Sequence, residues 1–130
     1  DILFVAAGGS GNGVFTAAKE ATDVKVIGCD VDQYDDGTNG DSNIVLTSVL
    51  KVMDKNVEKQ LNAVIDGTFG GKNDLLGADT DSTGYVKEEG RQQLSAETIT
   101  KLDEVYELVK SGTVVPASNF NGILPEDLGK

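Results

Sequence analysis

A glycine-rich turn and two aspartates are the residues of this chain best suited to holding a ligand. The turn is Gly8-Gly-Ser-Gly-Asn-Gly13. Glycines let a backbone approach a ligand closely, and at the start of a helix they present amides to it. Gly9-x-Gly11-x-Gly13 is one residue short of the dinucleotide fingerprint, whose third glycine would fall at Val14. Asp30 stands about 20 residues on, where that fingerprint places a carboxylate for ribose hydroxyls. Asp30 and Asp32 alternate along an extended segment, so only one of them is expected to face the crevice. A carboxylate there can accept two hydroxyl hydrogen bonds from a sugar. The plainer readings stay open: a tight strand–helix connection with no ligand, and a pair of solvated loop acids.

Other groups carry weaker signals. Asp79-Thr-Asp-Ser-Thr-Gly-Tyr-Val-Lys-Glu-Glu-Gly90 follows a calcium-loop pattern at its first, third, sixth and eighth positions. The twelfth position, where a glutamate would close the site, is Gly90, which argues against a calcium-dependent interaction module as a third reading. Phe4 lies in the segment feeding the glycine turn, where an aromatic can either fill the core or stack on a flat base. There is one cysteine, Cys29, and no histidine. Histidine-based zinc sites and Ser-His-Asp chemistry are therefore excluded. Cys29 is expected to act as a small buried apolar residue.

The elements that must position these groups follow from hydrophobic patterning. Ile2 to Val5 is a continuous apolar run, the mark of a strand buried on both faces of a parallel sheet. A helix is predicted over 14–21 and a second strand over 24–28. A polar loop should occupy 33–43, and Ile44 to Leu50, rich in β-branched residues, a third strand. Val52, Val57, Leu61, Val64 and Ile65 share one helical face, ended by Asp66-Gly67. A short strand is predicted at Gly84 to Lys87. Ser95 should cap a helix carrying Ile99, Leu102, Val105, Tyr106 and Val109 on one side. The rest reads as a short extended piece at 114–116 and a tail.

The chain has 130 residues, 38% apolar and 25% charged, enough for one soluble domain with a real core. Its formal net charge of −11 makes a nucleic-acid backbone or an anionic membrane surface a poor partner. No apolar run approaches the roughly 20 residues of a membrane span. The chain opens directly in a strand with no signal peptide, which predicts a processed or truncated piece of something longer.

Three segments taken together are more specific than any one of them: Ala6-Ala-Gly-Gly-Ser-Gly-Asn-Gly-Val-Phe15, Val26-Ile-Gly-Cys-Asp-Val-Asp-Gln33 and Leu46-Thr-Ser-Val-Leu-Lys51. Their order and spacing resemble the basic membrane protein family, the purine-nucleoside-receptor-like substrate-binding lipoproteins of bacterial ABC importers. Gly67 to Gly71 and Lys110 to Pro116 extend the resemblance over nearly the whole chain. It implies an α/β fold of the type I periplasmic-binding-protein kind, a Rossmann-like parallel sheet flanked by helices. Such proteins have two lobes and are more than twice this length, so the chain would be the C-terminal portion. Residues 1–50 would build the C-terminal lobe, 51–67 a helix packing on the absent N-terminal lobe, and 68–130 the return to the C-terminal lobe and a C-terminal tail.

The resemblance also implies a nucleoside ligand, of the purine kind, bound without catalysis, metal or cofactor. Gly8 and Gly9 would offer amides, Asp30 would accept from the ribose hydroxyls, Lys51 would donate to them, and Phe4 would stack on the base. An ABC permease would be the partner, and the setting extracytoplasmic, with a lipid anchor outside this chain. The uncovered helix would let the isolated piece self-associate. A nicotinamide-dinucleotide-binding fragment of an oxidoreductase is the alternative, and Val14 argues against it. After Asp79 the family's glycine-rich run is replaced by Thr80-Asp-Ser-Thr83, a departure that assigns no family role to this loop.

Overall fold

The computed structural model describes residues 1–71 and 73–116. Its main sheet has four strands: β1 (Ile2–Phe4), β2 (Lys25–Asp30), β5 (Val45–Lys51) and β6 (Thr83–Tyr85). They lie in the order β1-β2-β5-β6. The first three run parallel, and β6 runs antiparallel to β5. The helices are α1 (Gly11–Glu20), α2 (Met53–Ile65) and α3 (Ala96–Lys110). A mostly parallel sheet with α1 between β1 and β2, α2 between β5 and β6, and α3 after β6 is the periplasmic-binding-protein-like α/β arrangement that the family resemblance implied.

The core forms where α1 lies on the sheet. Phe15 and Ala18, three residues apart and so on one helix face, pack with Val5, Val26, Ile44 and Val45. Val26 and Val45, side by side in the parallel ladder, are fully enclosed. Gly11 brings the helix start against the end of β1, since a Cβ there would lie 3.0 Å from Val5 Cγ1. Helix α3 is held on the opposite edge of the sheet by its polar contacts with β6. Tyr106 donates to the Thr83 carbonyl at 2.9 Å. Tyr85 donates to Asp103 at 2.8 Å and to the Ile99 carbonyl at 3.2 Å. Ser95 caps this helix as expected, accepting from the Thr98 amide at 3.1 Å.

Several expectations need correcting. Ile2, Leu3 and Phe4 are exposed and only Val5 of the run is buried. The reason is position: among the described residues β1 is the sheet's edge, with β2 as its one neighbour. Phe4 is therefore not core filler. Cys29 is half-buried rather than enclosed. The helix begins at Gly11, earlier than predicted, because the glycine turn itself winds into a 3-10 turn over Gly8–Ser10. The polar segment 33–43 is not a plain loop. It contains a 3-10 turn at Asp35–Gly37 and a two-stranded ribbon, β3 (Thr38–Asn39) with β4 (Ser42–Asn43). Gly37 is buried there and Tyr34 packs on the core.

Helix α2 has the predicted amphipathic pattern, ended by Gly67 at φ +68°, yet buries none of its residues. Val57, Leu61, Val64 and Ile65 are all exposed.

Candidate functional site

The ends of β1 and β2 enclose a cleft of about 430 Å3. One wall is Val5 to Gly8 with Gly11, and the other is Cys29 to Val31 with Gln33. Ligands of open α/β sheets bind at this place, beyond the carboxyl ends of the strands. The glycine turn and Asp30 are thus neighbours, as the spacing suggested. A larger hollow of about 950 Å3 lies beside α2, lined by Lys55, Lys59, Phe69, Asp74 and Leu76 among others. It opens on a helix that buries nothing, so its size reflects an uncovered surface more than a formed site. The cleft at the strand ends is the better candidate.

Asp30 occupies the mouth of the cleft in an unusual backbone state. Its φ is +71°, and the Val31 amide donates to the Cys29 carbonyl across it at 2.9 Å. This is a γ-turn of the rarer hand, centred on a residue that carries a side chain. Lys51 ends β5 on the neighbouring strand, one residue beyond the partner of Asp30 in the ladder. Its ammonium lies 3.5 Å from the Asp30 carboxylate. Both side chains stay more than half exposed, at 64% for Lys51 and 53% for Asp30. Such a solvated pair adds little to stability and leaves both groups free to bond a ligand.

Asp32 does something else. It accepts from the Tyr34 amide at 2.9 Å and from Arg91 Nε at 2.7 Å. Arg91 also grips Asp35 with both terminal nitrogens, at 2.7 and 3.1 Å. Its guanidinium sits over the Tyr34 ring, 5.4 Å from the centre. Hydrogen bonding to Arg91 holds the Asp35 carboxyl below its ordinary range, and the two acids hold the Arg91 guanidinium protonated still more firmly. Only one of the alternating aspartates faces the cleft, as expected; the other is structural.

Gln33 is the second brace. Its side-chain Oε1 accepts from the Cys29 amide at 2.9 Å, and its own amide donates to Ser48 Oγ at 3.0 Å. Gly28 makes room for this fold-back: a Cβ there would sit 2.6 Å from Ser48 Oγ and 3.0 Å from Gln33 Oε1. Neither Gln33 nor Arg91 stood out as a functional residue in the sequence. A glycine inside strand β2 is a signal of close approach that points to Gln33. Arg91 is 59 residues from Asp32 and has no local signal at all.

The remaining predicted residues divide. Gly8 lines the cleft, at φ +53°. Gly9 lies in the 3-10 turn and Phe4 on the exposed face of β1, and neither belongs to the cleft lining. In the calcium-like loop, Asp81 is bonded to Lys110 at 2.5 Å. Among the described residues no three acidic, cysteine or histidine side chains converge as metal ligands would.

Comparison with known proteins bears on this geometry. Residues 1–119 match the family profile described as Bmp, ABC transporter substrate-binding protein PnrA-like. The chain is 35% identical over 126 residues to a CD4+ T-cell-stimulating antigen of Listeria monocytogenes serovar 1/2a, covering 88% of this chain. It is 34% identical, with the same coverage, to the protein of that name from Listeria innocua serovar 6a. The chain spans 35% of the length of these curated relatives. With the family profile matched from the first strand to beyond the last helix, the chain belongs to the Bmp family of PnrA-like ABC transporter substrate-binding proteins.

Proposed function

We propose that this chain is the C-terminal portion of the substrate-binding component of a bacterial ABC importer, and that the parent protein holds a nucleoside, by preference a purine nucleoside, between two lobes. The observation that carries the reading is the Asp30–Lys51 pair, 3.5 Å apart and solvated, at the mouth of a glycine-walled cleft. A ribose offers adjacent hydroxyls that donate to a carboxylate and accept from an ammonium, so the pair matches a sugar diol in both senses. A neutral nucleoside is not repelled by a chain of net charge −11, as a nucleotide would be. Gly8 offers a backbone amide from the cleft wall and Gly9 a second from the adjoining turn, outside the lining of this lobe. Phe4, exposed on the edge strand, is available to stack on the base. Nothing in this scheme makes or breaks a bond.

Helix α2 supports the two-lobe part of the reading. Its exposed Met53, Val57, Leu61, Val64 and Ile65 suit a surface covered by the other lobe, and residues 51–67 are assigned to that contact. In isolation the chain would self-associate through it. The setting is extracytoplasmic, with the protein tethered to the membrane by a lipid outside this chain and delivering ligand to its permease. A thermal-shift screen of adenosine, guanosine, inosine, cytidine and uridine on the two-lobe parent tests the reading. Stabilisation by purine nucleosides is expected. A parent whose midpoint moves with none of the five refutes it.

A further inference from the structure

We infer that Gln33 is a positioning residue: it holds Asp30 in its left-handed γ-turn and so keeps the Asp30 carboxylate beside Lys51 at the cleft mouth. The inference rests on the nucleoside reading above for its ligand, and on geometry alone for the coupling of the two residues. An aspartate at φ +71° is sparsely populated and persists only where the surroundings fix it. Relaxing it to an ordinary negative φ would rotate the chain by about 130° at that residue and swing the carboxylate away from Lys51.

The contacts that fix the turn converge on one side chain. The Cys29 amide immediately precedes Asp30, and Gln33 Oε1 accepts from it at 2.9 Å. The Gln33 amide is anchored on Ser48 Oγ, which is fully buried in the centre of β5. Gln33 Nε2 reaches Asp36 at 3.3 Å, joining the turn to the next one. One residue thus ties the end of β2, the middle of β5 and the 35–37 turn together. Gly28 is the space it requires. No other described side chain bonds to the backbone amides at 29–31.

The test uses the two-lobe protein and the nucleoside that shifts the wild type most in the screen above. Gln33→Met keeps the length of the side chain and removes the acceptor. Gln33→Glu keeps the acceptor, and it is made together with Asp36→Asn, because Gln33 Nε2 donates to Asp36 and a second carboxylate there would repel it. Affinity is expected to fall about tenfold in Gln33→Met, equivalent to ~1.4 kcal/mol, and to return in large part in Gln33→Glu. Equal losses in the two variants, or no loss in Gln33→Met, overturn the role of the acceptor.

A second measurement needs no ligand. Asp30→Gly removes the penalty at positive φ and should raise the unfolding midpoint by roughly 2–4 °C. In the Asp30→Gly background, Gln33→Met should cost more stability than in the wild type, because there is no strain left to relieve. Additive effects overturn the coupling even if no nucleoside binds. Non-additive effects with no nucleoside bound would uphold the brace and refute the ligand reading instead.

Discussion

Phenylalanine truncation separates the core of this fold from its open surfaces. Phe15, Phe4 and Phe69 are indistinguishable by residue type, but their exposures are 5%, 59% and 62%. Phe15→Ala removes a buried ring packed among Val5, Val26 and Val45, and is expected to cost about 3–5 kcal/mol, transfer and cavity together. That is a large part of the 5–15 kcal/mol available to an ordinary domain. Phe4 has about two-fifths of its surface covered, so Phe4→Ala should cost only ~1 kcal/mol when the roughly 1.5–3 kcal/mol of full burial is scaled down. Phe69→Ala should cost no more. Urea unfolding of the 130-residue chain, followed by far-ultraviolet circular dichroism, measures all three. Similar costs for Phe15 and Phe4, or a Phe15 cost under about 2 kcal/mol, would show that α1 does not seat on the sheet as described. Phe4→Ala in the two-lobe parent should instead weaken nucleoside binding, the reverse of its small effect on folding.

Lys51→Met should lower nucleoside affinity about tenfold, ~1.4 kcal/mol, with little change in the unfolding midpoint because the Lys51–Asp30 pair is solvated; calorimetry on the parent checks it. Tyr85 is pushed up to about 12, first by desolvation and then by its hydrogen bond to Asp103. A raised folded-state value means full stability below the ordinary tyrosine value near 10 and progressive loss as pH rises towards about 12. Phenolate absorbance against pH should show Tyr85 titrating late, and Asp103→Asn should bring it only part of the way back. Asp35 is held low by Arg91, so its contribution is present above the ordinary carboxylate range and is lost as pH falls through its lowered value. Arg91→Met should flatten that acid limb of the stability curve, and Arg91→Lys should restore it poorly, since an ammonium cannot grip both carboxylates of the pair in the same way.

The parts of the fold that were legible in the sequence are those set by periodicity. Strands β2 and β5, helices α2 and α3, and the Ser95 cap fall close to where apolar spacing and capping chemistry put them. The neighbourhood of the glycine turn and Asp30 was legible too, because both follow strands of one parallel sheet. What could not be read was neighbourhood across the sheet. The Ile2–Val5 run has the composition of a central strand, and only strand order shows that it is an edge. The 33–43 segment is polar enough to read as loop, yet its order comes from Arg91 and from Asn43, whose side chain donates to the Tyr34 carbonyl at 2.7 Å. Those partners are distant or internal to the turn and leave no periodic trace.

That bracing bears on how the cleft could bind. The arm running from Asp30 to Gly37 carries four acidic residues and would be expected to splay by self-repulsion. Instead Arg91 spans two of its carboxylates, Gln33 fastens it to β5, and Asn43 closes its far end. The segment that supplies Arg91 is itself fastened to the sheet: the Gln93 amide donates to the Leu46 carbonyl at 2.7 Å and its side chain to the Val45 carbonyl at 2.5 Å. The acid arm of the cleft is therefore set before a ligand arrives, and ordering it need not be charged against affinity. On the two-lobe reading, the conformational cost of binding then falls on closure of the lobes. Mutations in the Arg91–Asp32 brace should accordingly weaken binding by loosening a preformed arm, slowing ligand capture less than they hasten ligand release.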